Sequence, residues 1–208
     1  LESAMEKEAS ARHLTLALAG RAKNVAPVLA QNLLMEGIDL ILDVGAGTGI
    51  YSIAMLQKHQ HLRAIVQDRP EVLKVAEEMA EAYGVKDRLE CLPGDMFADD
   101  LNTGAQAILL SNVLHDWDVP QCQDLIERCA RALPKGGQLF IHDVFLNDDH
   151  SGPLPIALYS AALFTLTEGR AYSAAEYRDW LNFTGILQIR NYIIPTLVHC
   201  GVITAIRD

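Results

Sequence analysis

The sequence predicts an α/β fold in which a mostly parallel sheet carries helices on both faces. From residue 39 onward, short apolar runs alternate with stretches of helical periodicity, which is the pattern of consecutive β-α-β units. A glycine-rich turn follows the first of these runs directly. Two apolar runs near the C-terminus are joined by only a few residues and must therefore pair antiparallel. The expected sheet is parallel with an antiparallel edge.

Each expected element has its own local signal. Residues 1–38 are expected to form a helical lead-in, and residues 39–208 the main domain. Five leucines of the lead-in need a buried neighbour, namely Leu14, Leu18, Leu29, Leu33 and Leu34. Strands are expected near 39–44, 62–67, 88–92, 106–111 and 138–145, and helices near 48–58, 70–83 and 119–132. Capping boxes are expected at Asp118 with Gln121 and at Ser173 with Glu176.

The last third of the chain departs from the alternation. Residues 154–167 are apolar on every face, so this helix is either fully buried or covers an apolar ligand. The second alternative would make Leu158, Ala162 and Phe164 pocket residues. Further on, Ile186–Ile194 and Val198–Ile206 are the two runs expected to pair antiparallel.

Composition excludes several classes of function. The formal net charge of −10 on 208 residues would repel a phosphate backbone, so no nucleic-acid partner is expected. Among the four cysteines no Cys-x-x-Cys pair occurs, and Cys122 and Cys129 share one helical face, as buried thiols do. No stretch is long and apolar enough to cross a membrane, and the acidic start does not resemble a signal peptide. The expected compartment is the cytoplasm.

A nucleotide site is predicted at the first strand. The run Asp43-Val-Gly45-Ala-Gly47-Thr-Gly49 leads from a strand into a helix, and Asp68 follows nineteen residues after the last glycine. Glycines let a ligand approach the backbone, and a carboxylate at the end of the next strand suits a ribose diol. Such a turn can also serve only to pack a helix on a strand. The third glycine comes too early for a dinucleotide fingerprint, which disfavours NAD.

A second set of candidate residues follows the third strand. Asp95, Met96 and Phe97 suit an adenine ring, because the carboxylate can accept from the exocyclic amine while the two soft side chains cover the ring face. The structural alternative is that Asp95 caps a turn and that Met96 and Phe97 belong to the core.

The fourth strand is followed by His115, Asp116 and Trp117. Ligands of open α/β sheets bind beyond the carboxyl ends of the strands, and histidine is the side chain best suited to accept a proton near neutral pH. The alternative is a solvated turn in which Trp117 packs against the start of the next helix. The residues alone leave both interpretations open.

Four motifs in the same order resemble the S-adenosylmethionine-dependent small-molecule O-methyltransferases of the caffeic acid and hydroxyindole type, which include bacterial enzymes acting on polyketides. They are Asp43–Gly49, Gly94–Phe97, Leu114–Asp118 and Leu133–Gly137. The resemblance runs from about residue 5 to the end. It implies a Rossmann-like class I methyltransferase with a seven-stranded, mostly parallel sheet and an antiparallel C-terminal hairpin strand.

The resemblance also assigns roles. His115 matches the family's general base, Asp143 the acid that orients it, and Asp116 a residue beside it. The residues implied in binding S-adenosylmethionine, which leaves as S-adenosylhomocysteine, are Asp43, Gly45, Gly47, Gly49, Asp68, Asp95, Met96, Phe97, Ser111 and Trp117. Ser111 replaces a basic residue of plant members, and a second family glutamate is displaced, since Gly169 stands in its place and Glu168 one position earlier.

The implied partner is a mainly apolar small molecule with a hydroxyl acceptor. The family also carries an N-terminal helical domain that builds a homodimer; no counterpart is expected in these 208 residues, which leaves dimerisation of this chain open.

Other functions remain as alternatives. The chain could methylate carbon or nitrogen, bind the cofactor without transferring a methyl group, or act as a nicotinamide oxidoreductase. No metal site is expected at His115, Asp116, His142 and Asp143, because neighbouring side chains of a strand point to opposite faces.

Overall fold

The computed structural model describes residues 8–190 and 192–208 and divides the chain into two compact units, Leu1–Asp100 and Leu101–Asp208. In the first helix it describes the side chains of only some residues before Ala22. Within the described parts, no helix is long and apolar enough to span a membrane.

The first unit is a three-stranded parallel sheet with helices packed on it. Its strands lie in the order β3-β2-β1, and every pairing between them is parallel. The core strand β1 buries Ile41, Leu42 and Val44 completely, and the helix after it buries Ile53, Met55 and Leu56. The elements are α1 (Glu8–Asn32), β1 (Leu40–Val44), α2 (Ile50–Lys58), β2 (Arg63–Asp68), α3 (Pro70–Ala82) and β3 (Leu89–Pro93).

The helical lead-in is α1, which packs against α2 and α3. Leu29 and Leu33 are buried, as expected. Leu34 is 72% exposed, so the expectation of a buried neighbour is wrong there; it lies beyond Asn32, the last residue of the helix, and leaves the buried face. The side chains of Leu14 and Leu18 lie outside the described residues, as do residues 1–7.

The second unit combines parallel and antiparallel pairing. Strand β5 is parallel to β4 and antiparallel to β9, which in turn pairs antiparallel with β7 and β8. The expected mixed α/β fold, with parallel strands and an antiparallel C-terminal part, is confirmed. The elements are β4 (Ala107–Ser111), α4 (Val119–Ala132), β5 (Gln138–Leu146), α5 (Leu154–Leu166), β6 (Tyr172–Ser173), α6 (Ala174–Phe183), β7 (Leu187–Ile189), β8 (Ile194–Pro195) and β9 (Cys200–Arg207).

The two expected capping boxes differ in the structure. Ser173 forms a complete one, because its hydroxyl accepts from the Glu176 backbone N–H at 3.2 Å while the Glu176 carboxylate accepts from the Ser173 N–H at 2.8 Å. Asp118 caps α4 by accepting from the Gln121 N–H at 3.1 Å. With its amide oriented so that the nitrogen faces acceptors, Gln121 donates to the carboxylates of Asp118 and Glu168 and does not accept from the Asp118 N–H, so only half of that box forms.

The C-terminal runs pair antiparallel as expected, but with different boundaries. The first run breaks into β7 and β8 instead of forming one strand. The second begins at Cys200, because Val198 and His199 have φ angles of 58° and 60°, which no strand residue adopts. These two residues form a turn that is closed by the Thr196 N–H donating to the Cys200 carbonyl at 2.9 Å.

Helix α5 is not fully buried, so the first of its two alternatives is wrong, and a helix that covers an apolar ligand stays a prediction. Its only buried large apolar side chains are Ile156 and Leu163. Because the helix is apolar on every face, whichever face turns away from the core leaves large apolar side chains exposed. They are Leu154, Leu158, Phe164 and Leu166, all between 64% and 81% exposed.

Candidate active site

The glycine turn of the first unit forms where β1 ends and α2 begins. Gly45, Gly47 and Gly49 all have positive φ angles, between 57° and 67°, which side-chain-bearing residues rarely adopt. A Cβ atom at Gly47 would find nothing within 4 Å, so the chain leaves open space in front of this residue. Strand β2 holds this turn in place, because the Gly45 N–H donates to the carbonyl of Gln67 on β2 at 2.9 Å.

Asp68 is part of this turn rather than a separate carboxylate. One oxygen accepts from the Gly47 N–H at 2.9 Å and the other from the Arg69 N–H at 2.7 Å. Burial raises the pKa of Asp68, and these two hydrogen bonds oppose the rise. Each carboxylate oxygen has a second lone pair, so Asp68 can hold the turn and still accept from a ribose hydroxyl.

Asp43 is the most buried carboxylate of the first unit's site residues, with 1% exposure. Burial raises its pKa to about 7; the Ser52 hydroxyl, which donates to Asp43 Oδ2 at 2.7 Å, lowers it, and the nearby Asp68 raises it. The structure therefore brings Asp43, Gly47 and Asp68 into one charged, hydrogen-bonded turn.

The loop after β3 contains Asp95, Met96 and Phe97, for which an adenine contact and a structural role were both open. Asp95 caps a turn, because its Oδ1 accepts from the Phe97 N–H at 2.8 Å, while its own N–H donates to Asp99. Met96 and Phe97 are half-buried, so they are not core residues. The turn thus presents a carboxylate and two partly exposed apolar side chains together.

In the second unit, His115 lies in a short 3₁₀ turn, Leu114–Asp116, directly after β4. Its Nδ1 is 2.6 Å from Oδ1 of Asp143 on β5, and the two residues are only 4% and 1% exposed. A ring nitrogen this close to a carboxylate carries the hydrogen, so Nδ1 donates to Asp143. This leaves Nε2 of the neutral ring as a proton acceptor.

Asp143 has two further donors. Its Oδ1 also accepts from the Val144 N–H at 2.8 Å, and its Oδ2 accepts from the hydroxyl of Tyr177 at 3.2 Å. Tyr177 is fully buried on α6, and burial raises its pKa well above the usual range, so it stays a neutral donor. His115, Asp143 and Tyr177 form a buried chain of hydrogen bonds.

Two side chains face Nε2 of His115. The Tyr159 hydroxyl, from α5, is 3.3 Å away, and Oδ1 of Asp116 is 3.7 Å away. Asp116 is 46% exposed, and partial burial raises its pKa while His115 opposes the rise. The predicted residues His115, Asp116 and Asp143 are therefore brought together.

The turn that carries His115 is held from behind by the segment between α5 and α6. The Glu168 N–H donates to the Asp116 carbonyl at 3.2 Å, and the Tyr172 hydroxyl to the Trp117 carbonyl at 2.6 Å. A Cβ atom at Gly169 would lie 2.3 Å from the His115 carbonyl oxygen and 2.6 Å from two backbone atoms of Trp117. A side chain at residue 169 would therefore require the turn that carries His115 to shift.

Ser111 faces a different partner. Its hydroxyl is 2.8 Å from Nδ1 of the fully buried His142, whose Nε2 is 3.0 Å from the Thr196 hydroxyl. His142 and Asp143 therefore bind to different groups, in keeping with the alternation of side chains along β5. Among the described residues, no three His, Cys, Asp or Glu side chains converge on a possible metal position.

Three tyrosines of this region, Tyr159, Tyr172 and Tyr177, were not identified from the sequence. The one available signal was at Tyr159, which carries the only ring hydroxyl of a mostly apolar helix. Nothing in the local sequence marks Tyr172 or Tyr177, because their partners are 55 and 34 residues away.

Comparison with known proteins places these features in a family. Residues 5–186 match the family model of the O-methyltransferase domain. A 3-hydroxy-5-methyl-1-naphthoate 3-O-methyltransferase of Streptomyces sahachiroi is 37% identical over 179 residues, which is 86% of this chain and 52% of the relative. An L-tyrosine C(3)-methyltransferase of Streptomyces lavendulae is 32% identical over 164 residues, or 76% of this chain and 45% of the relative.

A solved structure extends the match to the whole chain. An O-methyltransferase family 2 protein from Planctomyces limnophilus, in complex with apigenin, superposes with a TM-score of 0.94 at 52% identity, covering 100% of this chain and 63% of that one. The chain spans about half the length of the curated relatives it matches. These matches confirm the resemblance seen in the four motifs, and the chain belongs to the family of proteins with an O-methyltransferase domain.

Proposed function

We propose that this chain is the catalytic part of an S-adenosylmethionine-dependent methyltransferase that methylates a hydroxyl of an aromatic or polyketide-like small molecule. The observation that carries the proposal is the buried His115–Asp143 pair, with a nitrogen–oxygen distance of 2.6 Å, directly after β4. Such a pair has the parts of a general base: a fixed tautomer and an available second nitrogen.

The first unit fits the adenosyl cofactor. Open space in front of Gly47 admits a ligand close to the backbone, and Asp68 has lone pairs for a ribose diol. The turn Asp95–Phe97 offers a carboxylate and two partly exposed apolar side chains to an adenine ring. When bound, S-adenosylmethionine supplies an electrophilic methyl group and leaves as S-adenosylhomocysteine. Asp43, Gly45, Gly49, Ser111 and Trp117 complete the proposed cofactor set.

The residues of the second unit then handle the proton. Asp143 accepts from Nδ1–H and so fixes the tautomer of the neutral ring in which Nε2 has the lone pair that faces the acceptor hydroxyl. As the new O–CH₃ bond forms, the O–H bond breaks and its proton moves to Nε2. The resulting imidazolium is stabilised by Asp143 and by Asp116, whose carboxylate is 3.7 Å from Nε2.

General-base catalysis of this kind contributes about 10²–10⁴ in rate, and effective molarities of about 10⁵ M or more come from holding the reacting groups in line. His115 therefore assists a reaction that depends mainly on positioning.

The proposed acceptor class rests on the family members. The Streptomyces sahachiroi relative acts on a hydroxynaphthoate, and the Planctomyces limnophilus protein binds apigenin. Both compounds place a hydroxyl on an aromatic ring. An apolar acceptor also suits the exposed apolar side chains of α5.

The test uses the 208-residue chain with methyl-labelled S-adenosylmethionine and a panel of phenols that includes apigenin. Label in an O-methylated product, formed by the parent and not by His115→Gln, supports the proposal. Binding of S-adenosylhomocysteine without transfer to any member of the panel would instead favour a cofactor-binding protein without transferase activity. Binding of NADH alone would favour an oxidoreductase.

Methylation of carbon is the second candidate, and the relative that methylates C(3) of L-tyrosine favours it. Loss of a phenol proton to His115 activates the ring carbon beside the oxygen as well as the oxygen itself, so one base serves both reactions. Proton and carbon NMR of the product separates the two outcomes, because O–CH₃ and C–CH₃ groups have distinct chemical shifts.

Three broader features also remain proposals: a cytoplasmic location, a role in secondary metabolism, and a homodimer of the longer family form. Cys91, Cys122, Cys129 and Cys200 are thiols and not disulfides, which suits a reducing compartment. Light scattering on the 208-residue chain and on a family-length protein would show whether either dimerises.

A further inference from the structure

Tyr159 contacts the one atom of His115 that the proposed function reserves for the acceptor. Its hydroxyl is 3.3 Å from Nε2, and the two rings pack edge to face with their centroids 5.6 Å apart. Nδ1 is engaged by Asp143, so Nε2 of the neutral ring has a lone pair and no hydrogen. Tyr159 is therefore the donor in this contact, and it occupies the place of an acceptor hydroxyl.

The position of the Tyr159 hydroxyl is set by packing. The body of its ring packs against a buried apolar cluster, formed by Val144, Ile156, Ala171 and Cys200. The residue as a whole is half-buried on α5. This packing directs the Tyr159 hydroxyl at His115. Because the residue is only half-buried, its side chain has room to move slightly away.

The bond from Tyr159 to His115 is weaker than the bond from His115 to Asp143. Its length of 3.3 Å compares with 2.6 Å for the charged bond to Asp143. A neutral bond of this length contributes little net free energy, whereas the shorter bond to a carboxylate is among the strong ones. Displacement of Tyr159 by another hydroxyl therefore leaves the tautomer of His115 unchanged.

We propose that Tyr159 is a positioning residue that caps the proton-accepting nitrogen of the base, gives way to the acceptor hydroxyl, and returns when that hydroxyl has been methylated. The inference rests on the proposed function, because it takes Nε2 as the atom that receives the proton. A phenol can replace the tyrosine hydroxyl in an even exchange, since both are donors of the same kind. A methyl ether has no hydrogen to donate, so the methylated product does not displace the cap.

The other groups near the base stay in place when Tyr159 is changed. Asp143 and Asp116 face the two ring nitrogens, Tyr177 donates to Asp143 from α6, and the Cys122 thiol of α4 donates to the Leu114 carbonyl at 3.1 Å. Tyr159→Phe keeps the ring, its packing and all four of these groups. Differences between the parent and this variant therefore report on one hydroxyl.

The first readout needs neither a cofactor nor an acceptor. The hydroxyl donates to Nε2 of the neutral imidazole and turns to accept from Nε2–H of the imidazolium, and the second, charge-assisted bond is the stronger of the two. We expect the midpoint of the His115 titration, followed by NMR of the ring, to move to lower pH in Tyr159→Phe. The matched control is Tyr192→Phe, which removes an exposed tyrosine hydroxyl beside Arg190 and should leave the midpoint unchanged.

The second readout is ligand binding in the presence of S-adenosylhomocysteine, with 2-naphthol as the hydroxyl probe and 2-methoxynaphthalene as its methylated counterpart. Removal of the cap should tighten binding of 2-naphthol by up to about tenfold, the equivalent of one net hydrogen bond. Binding of 2-methoxynaphthalene should not change. Tyr192→Phe should match the parent for both probes.

The outcomes separate this inference from the proposed function. An unchanged His115 midpoint and unchanged 2-naphthol binding in a folded Tyr159→Phe protein would overturn the cap, even if methyl transfer is observed. A shifted midpoint in a protein that methylates nothing would support the cap and contradict the proposed reaction. Should the variant fold poorly, the parent still gives a test: 2-naphthol must perturb the NMR signals of the Tyr159 ring, and 2-methoxynaphthalene must not.

Discussion

The two nitrogens of His115 face partners of different kinds, and this asymmetry suits the residue to the proposed role of general base. Nδ1 donates to a buried carboxylate that is itself held by the Val144 N–H and the Tyr177 hydroxyl. Because three donors point at the buried carboxylate of Asp143, its negative charge is stabilised at that point without exposure to water. Nε2 faces a weakly bound hydroxyl and a partly exposed carboxylate, so this is the side at which a proton can arrive and be stabilised.

Replacement of His115 by glutamine should separate catalysis from cofactor binding. Glutamine keeps a polar side chain of similar reach but cannot take up a proton, so we expect kcat to fall by about 10²–10⁴-fold. The dissociation constant of S-adenosylhomocysteine, measured by calorimetry, should stay the same. The control His199→Gln replaces an exposed histidine and should leave kcat unaltered. Full turnover by His115→Gln would remove this residue from the mechanism.

Asp43 should make the stability of the protein depend on pH. Its pKa is about 7 in the folded protein against an ordinary value of 3.8, mainly because of burial. Between these two pH values the folded chain holds a proton that the unfolded chain has lost, so the free energy of unfolding falls as the pH rises. The stabilising contribution is complete below pH 3.8 and is lost once the pH has passed about 7.

The variant Asp43→Asn isolates this effect, because asparagine has no proton to lose. We expect the free energy of unfolding of the variant, relative to the parent, to increase steadily from about pH 4 to about pH 7 and then to level off. Urea unfolding at a series of pH values measures it. Asp39→Asn, which changes an exposed carboxylate of the same unit, is the matched control. A pH-independent difference for Asp43→Asn would show that Asp43 titrates normally.

Residues with a local motif could be identified from the sequence, whereas residues defined by distant packing could not. Asp43, Asp68 and His115 lie at or just beyond the ends of strands at recognisable spacings, and the structure brings each of them into a hydrogen-bonded site. Tyr177 and Gly169 matter because of atoms that approach from elsewhere in the second unit. No spacing along the chain encodes such an approach, and the sequence indicated only that the family glutamate had been displaced.

At the scale of elements, the turn Leu114–Asp116 is positioned by three neighbours rather than by its own sequence. Helix α4 contributes the Cys122 thiol, which donates to the Leu114 carbonyl. The segment before β6 contributes the Glu168 N–H and the close backbone approach of Gly169. Strand β6 contributes the Tyr172 hydroxyl. A 3₁₀ turn of three residues has few hydrogen bonds of its own, so these contacts determine where His115 lies.

Gly169→Ala should therefore displace the base. The new Cβ atom would lie 2.3 Å from the His115 carbonyl oxygen, a backbone atom that can move only together with the turn. We expect a loss of about 1–3 kcal/mol in the free energy of unfolding, as for other overpacked sites, and a fall in kcat of about 10²-fold. Urea unfolding and steady-state kinetics measure the two effects.

The control for this variant is Gly20→Ala in α1, where a Cβ atom would meet nothing within 4 Å. Alanine is the better helix former, so this change should raise the free energy of unfolding by about 0.5–1 kcal/mol and leave kcat unchanged. Equal kinetics for Gly169→Ala and the parent would mean that the turn accommodates the extra atom without moving His115.

The sequence predicts elements with strong local signals nearly to the residue. The wrong strand boundaries near the C-terminus have a physical cause. Helix α4 spans the expected Val119–Ala132 and α6 begins at the expected capping box of Ser173. The strand boundaries near the C-terminus failed because Val198, a β-branched residue that favours strands, adopts a φ of 58° in a turn. Backbone strain of this kind is imposed by the surrounding chain and leaves no trace in the local pattern.

At the scale of the whole molecule, α5 exposes apolar side chains in a chain that is shorter than the relatives it matches. Four large apolar side chains of one helix are exposed, and the chain spans about half of the curated relatives it matches. Exposed apolar surface of this kind is typical of a binding face for a ligand or a partner. Activity measured on the 208-residue chain should therefore be compared with activity of a family-length protein before rates are interpreted.

Binding of the cofactor product should stabilise the folded protein in a way that depends on Asp68. At a concentration of about 100 times its dissociation constant, a ligand adds about 2.7 kcal/mol to the free energy of unfolding, and each kcal/mol raises Tm by about 2–4 °C at this size. We expect S-adenosylhomocysteine to raise Tm by about 5–10 °C, and NADH at the same concentration to have no effect.

In Asp68→Asn this stabilisation should be lost. Both oxygens of Asp68 accept from backbone N–H groups, so an amide must direct its own N–H₂ at one of these donors and disrupt the turn around Gly47. Asp87→Ala changes an exposed carboxylate of the same unit and should keep the full shift. The unliganded Tm of each variant, measured in parallel by scanning calorimetry, separates lost binding from lost stability. Equal shifts in Asp68→Asn and the parent would show that the glycine turn and its carboxylate do not bind the adenosyl group.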